Sequence, residues 1–367
     1  MSSSKKVSVI ISARDEFPNI VHTVHAIVND LETFLAPDDF EIIVVDNGSR
    51  NPDSWRFLAE RGMYFHRTVR ILHDPIMGNV TARNKGVAIA KGEYIFFSDA
   101  HMSYRIGSFR AMVDVLERFG GIVHPSVQWM GGYEPSTRSY QYSLKLGEKL
   151  WGTWNNMVVH PTEPFYIPVS GHCCLGVKRE EFIRMGGYNP WFRCYGGGEL
   201  YLDLKWWMMG STVMVVPAAV GYHLSAGRGY SYMQDDFIHN MMLLAQALGA
   251  DALAERVYLR YLGKEGVDVD KITRLRDEAR NESLQDVLHM LPRTVLGLYD
   301  LLTELPWDTA NDNLHGKHAS GILIYDRTWT DALSGEARAM FDASPLQSEL
   351  QTLIDTKLSQ YVYKGSA

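Results

Sequence analysis

Four short runs rich in β-branched and aromatic residues, at positions 7–12, 41–45, 69–73 and 94–98, are separated by longer amphipathic stretches. A chain that switches between the strand period and the helix period in this way builds βαβ units, which assemble into a largely parallel sheet flanked by helices. A helix is predicted over 19–34, with Ile20, Val24, Ile27, Val28 and Leu31 on one face and Pro18 at its entry. A second is predicted over 80–90, closed by Lys91 and Gly92. From 120 to about 217 the pattern is mixed, with strands expected at 121–124, 166–169, 172–177 and 212–216 and a helix at 199–208. Beyond 235 the stretches 241–262, 272–291 and 347–361 have helical periodicity and high helix propensity. The reading is an α/β, Rossmann-like unit over 1–234 followed by a helical region over 235–367.

Composition narrows the class. With 46% hydrophobic and 22% charged residues, the 367-residue chain has the make-up of a soluble globular protein. No window offers the roughly 20 apolar residues of a membrane span, and the N-terminus lacks a signal-peptide layout, so a soluble, cytoplasmic protein is expected. Cys173, Cys174 and Cys194 are too few for a disulfide framework, which agrees with a reducing compartment. The net charge of −7 argues against a basic coat for nucleic acid. That charge is unevenly placed: residues 1–234 hold 23 basic against 22 acidic side chains, and residues 235–367 hold 13 against 21. Arg14, Arg83, Lys85, Arg138, Lys145, Lys149 and Arg228 therefore remain available for a local positive groove.

The clearest chemical signal closes the fourth run, where Asp99, Ala100 and His101 follow an apolar strand. Side chains at i and i+2 of an extended segment share a face, so carboxylate and imidazole can reach one divalent cation. The turn at 46–49 lies at the C-terminal edge of another predicted strand, where open α/β sheets place ligands. Glu199 follows Gly196, Gly197 and Gly198 and opens a helix; the glycines permit close backbone approach to a ligand. Arg228, between Gly227 and Gly229, is expected to act as a lid over phosphate oxygens. Trp151 and Trp154 could stack on a sugar or base, whereas Trp206 and Trp207 read as core. His315 and His318 read as solvated loop residues, and Cys173 and Cys174 as small buried hydrophobes.

Several of these segments together carry a family resemblance. VSVIISARDE (7–16), EIIVVDNGS (41–49) and GNVTARNKGVAIAKGEYIFFSDAH (78–101) stand in the order and spacing of the GT-A nucleotide-sugar glycosyltransferases. The segment 170–223, from SGHCC to VGYH, resembles the second half of the same catalytic unit. The chain is similar to family 2 glycosyltransferases and to polypeptide N-acetylgalactosaminyltransferases over about residues 7–235, and Asp99-Ala100-His101 resembles their DxH metal motif. The resemblance implies a GT-A fold, a UDP-sugar donor and a divalent cation, manganese or magnesium, held by Asp99, His101 and His223. It implies that Asp46 accepts from the uracil edge, Ala13 and Arg14 line the nucleoside pocket, and Arg83 approaches the base or phosphates. Glu199, beside Gly197 and Gly198, would face the sugar and acceptor. It also implies transfer with retention of anomeric configuration to a hydroxyl of a larger acceptor: a glycan, a polypeptide or a hydroxymethylated DNA base. Two other classes compete. A nucleotidyltransferase would release pyrophosphate, but a glycine-rich phosphate loop with a following lysine is missing near the first run; a non-catalytic binding module would have no need of Asp99, His101, His223 and Glu199 together.

Overall fold

The computed structural model describes residues 5–51, 68–75, 77–130, 138–145, 151–156, 162–167, 169–209, 211–224, 233–249 and 251–286. In chain order the elements begin with β1 (Lys5–Ala13), α1 (Asn19–Leu31), β2 (Phe40–Asn47), β3 (Val69–Asp74), α2 (Asn79–Ile89), β4 (Gly92–Asp99), β5 (Met102–Tyr104) and α3 (Ser108–Phe119). They continue with β6 (Ile122–Met130), β7 (Arg138–Lys145), β8 (Trp151–Asn156), β9 (Phe165–Tyr166), β10 (Cys174–Lys178), α4 (Arg179–Arg184), α5 (Gly198–Met208) and β11 (Val213–Leu224). Three helices follow: α6 (Gln234–Ala247), α7 (Asp251–Leu262) and α8 (Val269–Ser283). The strands form one sheet in the order β3-β2-β1-β4-β10-β6-β11-β5, with β7, β8 and β9 attached to its second half.

The expectation of a largely parallel sheet holds for one half of it. Strands β3, β2, β1 and β4 are parallel; the apolar residues of β2, β1 and β4 are buried on both faces, as βαβ crossovers require, and those of the edge strand β3 are only partly covered beyond Val69. Strand β10 then runs antiparallel to both β4 and β6, and β11 runs parallel to β6 but antiparallel to β5 and β9. An apolar run records burial, not the direction of its neighbour, so periodicity does not separate the two halves. Of the expected strand 166–169 only Tyr166 falls in a strand, the two-residue β9, and the expected helix over 241–262 divides at Gly249, whose φ of 72° ends α6. The predicted helix at 347–361 lies outside the described residues, as do His315 and His318. No described helix is long and apolar enough to cross a membrane.

One helix start was hidden from the sequence. Helix α3 has Gly107 at its N-cap, which offers no side chain, and the missing acceptor comes from Asp30 on α1. The buried Asp30 carboxylate accepts from the backbone N–H of Gly107 at 2.8 Å and of Phe109 at 3.2 Å. Burial raises its pKa, and those N–H groups oppose the rise without cancelling it. Asp30→Ala strands these donors, and the expected cost is about 2 kcal/mol, combining a lost cap with a buried unsatisfied N–H. Urea denaturation measures it; an unchanged midpoint would show that α3 needs no cap from α1.

Helix α6 is joined to the α/β unit and not merely appended to it. Asn240 donates to the carbonyls of Arg193, Tyr195 and Gly196 at 3.0, 3.0 and 3.2 Å, while its own Oδ1 accepts from the Arg193 N–H at 2.9 Å. His239 faces Glu282 at 2.6 Å, which ties α6 to α8. The 234/235 border thus falls within one packed, hydrogen-bonded body among the described residues. Trp206 is fully buried, as expected. Cys173 and Cys174 are free and buried, and burial raises both thiols, Cys174 to about 12, which suits packing and not nucleophilic chemistry.

Candidate metal and donor site

Strand β1 places Ser12 opposite Asp99 at the end of β4 and Ala13 opposite Asp46 at the end of β2, so the three strand ends share one sheet edge. Strand β11 arrives from the other half and pairs with β5, with His223 opposite Met102 and the Leu224 N–H donating to the His101 carbonyl at 3.1 Å. Ligand atoms of Asp99, His101 and His223 consequently lie within 4.8 Å of one another. Asp99 Oδ2 is 3.5 Å from His223 Nε2, and the two imidazoles meet edge to face at 4.7 Å. Glu16, on the loop after β1, lies 3.1 Å from His101 Nδ1 and orients that ring. Burial alone would raise the Asp99 pKa; the His223 hydrogen bond and the charges of Arg83 and His101 overcome it and hold the carboxyl well below its ordinary range. One ionised oxygen and two imidazoles, convergent and oriented from behind, are a donor set that fits a divalent first-row ion.

Arg83 links this cluster to a cavity of about 100 Å³. Its guanidinium is buried and donates to Asp99 Oδ1 at 3.1 Å, to Tyr188 Oη at 3.1 Å and to the His172 carbonyl at 2.7 Å. Arg83, expected at the base or phosphates, lines the cavity with three protein acceptors on its terminal nitrogens, one of them Asp99, while its Nε has no hydrogen-bond partner among the described residues. The cavity is lined by Asn79, Gly197, Gly198 and Glu199, with Phe237 and Met241 of α6 forming an apolar wall. Glu199 stands in the first turn of α5; burial raises its pKa, and the charges of His172 and Arg83 only partly offset this. Gly196 and Gly197 have φ of 105° and 76°, and a Cβ on Gly198 would lie 2.4 Å from Val80. These glycines therefore serve the packing of the loop against α2 and α6 as well as open access.

The edge expected to meet the nucleoside is assembled from two loops. Asp15, at φ 54°, receives a hydrogen bond from Arg50 N–H at 2.9 Å and another from Arg50 Nε at 3.0 Å, and its own N–H donates to Ser49 Oγ at 2.9 Å. Asp46, expected to accept from a base, is 2% exposed with both oxygens engaged: Oδ1 accepts from the Ser49 N–H at 3.0 Å, and Oδ2 faces His73 Nδ1 at 3.2 Å. That geometry makes Asp46 the closure of its own turn and the anchor of His73. The neighbouring Asn47 Oδ1 is buried without a hydrogen-bond partner among the described residues, an acceptor left over at the ligand edge. Ala13 is buried at the strand end, and Arg14 lies against Cys194, a residue of the cavity wall. Arg228, the expected lid, lies outside the described residues, and so do the side chains of Trp151 and Trp154. Glu16, His172, Tyr188 and Asp203 were given no role by sequence reasoning. Each acts through partners distant in the chain, so no local motif marks it.

A parallel edge carrying Asp99 and His101, completed by His223 from a mixed second half, is the arrangement of a GT-A fold. Residues 8–180 match the family model described as glycosyl transferase family 2. The chain resembles the polypeptide N-acetylgalactosaminyltransferases: it is 26% identical over 273 residues to the putative polypeptide N-acetylgalactosaminyltransferase 13 of Drosophila melanogaster, covering 66% of this chain and 47% of that protein. It is 25% identical over 233 residues to human polypeptide N-acetylgalactosaminyltransferase 10, covering 59% of this chain and 37% of that protein. The chain thus spans less than half the length of these relatives. Among solved structures, GalNAc-T7 with UDP, GalNAc and Mn2+ superposes with a TM-score of 0.58 at 18% identity, over 83% of this chain and 59% of that one, a likeness of fold.

Proposed function

We propose that the protein transfers a sugar from a UDP-sugar to a hydroxyl of a macromolecular acceptor, with a divalent cation held by Asp99, His101 and His223. The observation that carries this reading is the convergence of those three ligand atoms within 4.8 Å at the sheet edge. The relatives named above, and the UDP and Mn2+ in the GalNAc-T7 structure, support the donor and the metal. A bound divalent cation would neutralise the diphosphate as it departs.

The chain's own residues do the rest. Asp99 is kept ionised by His223 and Arg83, and Glu16 holds His101 in one ring orientation. Asn47 supplies a buried acceptor for the nucleoside. Glu199 faces the cavity and would accept hydrogen bonds from sugar or acceptor hydroxyls, while Phe237 and Met241 exclude water from the opposite side. Retention is the expectation the resemblance carries. The acceptor hydroxyl then attacks on the leaving-group face and gives its proton to the departing phosphate, and Glu199 orients it without serving as a strong base. The acceptor classes are a glycan, a polypeptide and a hydroxymethylated base in DNA. A donor panel with Mn2+ and UDP release as readout, followed by mass spectrometry on the three acceptor classes, tests the reading. Absence of UDP release from every UDP-sugar would overturn it.

Glu199→Gln separates function from stability. Loss of charge-assisted hydrogen bonds to a hydroxyl is worth about 2 kcal/mol, or roughly a thirtyfold fall in kcat. Because burial disfavours the ionised carboxylate, the neutral amide is expected to leave the melting temperature unchanged or raise it. A wild-type kcat would remove Glu199 from the reaction.

A further inference from the structure

We propose that Asp203, His172 and Tyr188 form a buried positioning chain that acts through Arg83 to fix Asp99 as a ligand. The inference rests on the reading of Asp99 as a metal ligand and adds the residues that set its geometry. Asp203 Oδ1 lies 3.1 Å from His172 Nε2, His172 Nδ1 lies 3.0 Å from Tyr188 Oη, and Tyr188 Oη lies 3.1 Å from Arg83 Nη1. Arg83 Nη2 then reaches Asp99 Oδ1 at 3.1 Å. The four side chains from Asp203 to Arg83 are each at most 1% exposed.

The donors and acceptors run in one direction. Asp203 Oδ2 already accepts from the N–H and Oγ of Ser170, so Oδ1 is left for His172. A carboxylate only accepts, so the His172 proton sits on Nε2 and Nδ1 accepts from the Tyr188 hydroxyl. The Tyr188 oxygen then turns its lone pairs to Arg83. Three fixed acceptors, namely Tyr188 Oη, the His172 carbonyl and Asp99 Oδ1, set the plane of the guanidinium. Asp99 Oδ1 is thereby occupied, and Oδ2 is the oxygen presented to His223.

Two features distinguish this chain from a satisfied polar core. Buried charges are costly and an apolar core would be at least as stable, so a five-residue polar chain calls for a use. Its origin and end also coincide with the site: Asp203 lies one helical turn after Glu199 on α5, and the last link is a ligand oxygen. Helix α5 thus offers Glu199 to the cavity and, through Asp203, fixes Asp99 from beneath.

The test measures Mn2+ affinity of the full chain by counting free Mn2+ from its six-line paramagnetic resonance signal, with circular dichroism and melting as fold controls. Tyr188→Phe keeps the ring and removes the link; its expected dissociation constant is about tenfold weaker. Asp203→Asn, four links from the ligand oxygen, is expected to weaken binding in the same direction, because an amide N–H facing His172 Nε2 leaves Nδ1 as the donor to the Tyr188 oxygen, where it competes with Arg83 Nη1 for lone pairs. If Tyr188→Phe does not fold, the isosteric Asp203→Asn decides. Wild-type affinity in the folded variants, with Asp99→Ala unable to bind Mn2+, overturns the positioning chain and leaves the metal reading standing. Wild-type affinity in Asp99→Ala overturns both.

Discussion

Asp99→Ala and His101→Ala are each expected to lower sugar transfer from a UDP-sugar by at least about a thousandfold, since a divalent ion at a departing diphosphate contributes several kcal/mol and each 1.4 kcal/mol is a factor of ten. The two variants fail for different reasons. Asp99→Ala removes the anionic ligand and strands the buried Arg83 guanidinium, so a measurable loss of thermal stability accompanies the loss of activity. His101→Ala removes a part-exposed imidazole that contacts Glu16 and the His223 ring, so its melting temperature stays close to wild type. UDP release and Mn2+ binding, measured on both proteins, check the pair. Robust transfer by either one in the presence of chelator would remove the metal from the reaction.

Gly197→Val is expected to be nearly as damaging by a different route. The backbone at 197 has φ of 76°, where a β-branched residue is strained, and an added Cβ would meet Phe192 Cε1 at 2.9 Å and the Asn240 carbonyl oxygen at 3.2 Å. Strain and overpacking together cost about 3–5 kcal/mol, to be read from denaturant unfolding. Relief requires the loop to move, and Glu199 is two residues along it. A displacement of about 1 Å at a positioning group costs on the order of a hundredfold in rate, so kcat falls at temperatures where the variant is still folded. A folded variant with wild-type kcat would show that the loop's path is not what places Glu199.

What could be read in the sequence follows from how local each determinant is. The strands β1, β2 and β4 were legible because their runs are buried on both faces and need no partner to be recognised. Asp99 and His101 were legible because they end such a strand two residues apart. His223 could be placed by resemblance but not by alternation: strand β11 is irregular between Val216 and Val220, and the inward phase of residues 213–216 cannot be extended to 223. Helix α3 escaped because its capping carboxylate, Asp30, lies 77 residues earlier. The motif around Arg83 is local and points it toward the ligand, while the acceptors that position its guanidinium are distant and leave no local signal: Tyr188 is 105 residues away and His172 is 89. Side-chain periodicity reports which face is inward, and nothing in it says which buried donor will meet which buried acceptor.

The apolar wall of the cavity belongs to α6, on the far side of the chain from β1, β2 and β4, and past the end of the family match at residue 180. Asp99 and His101 thus lie within the matched stretch, whereas His223, Glu199 and the apolar wall lie beyond it, and the two stretches meet across a single small space. On the proposed function, substitution on the face of one helix, at Phe237 and Met241, is expected to change which acceptor fits while Asp99, His101 and His223 are left untouched. The same arrangement gives an engineer a short list of positions at which to vary the cavity without altering the residues proposed to hold the cation.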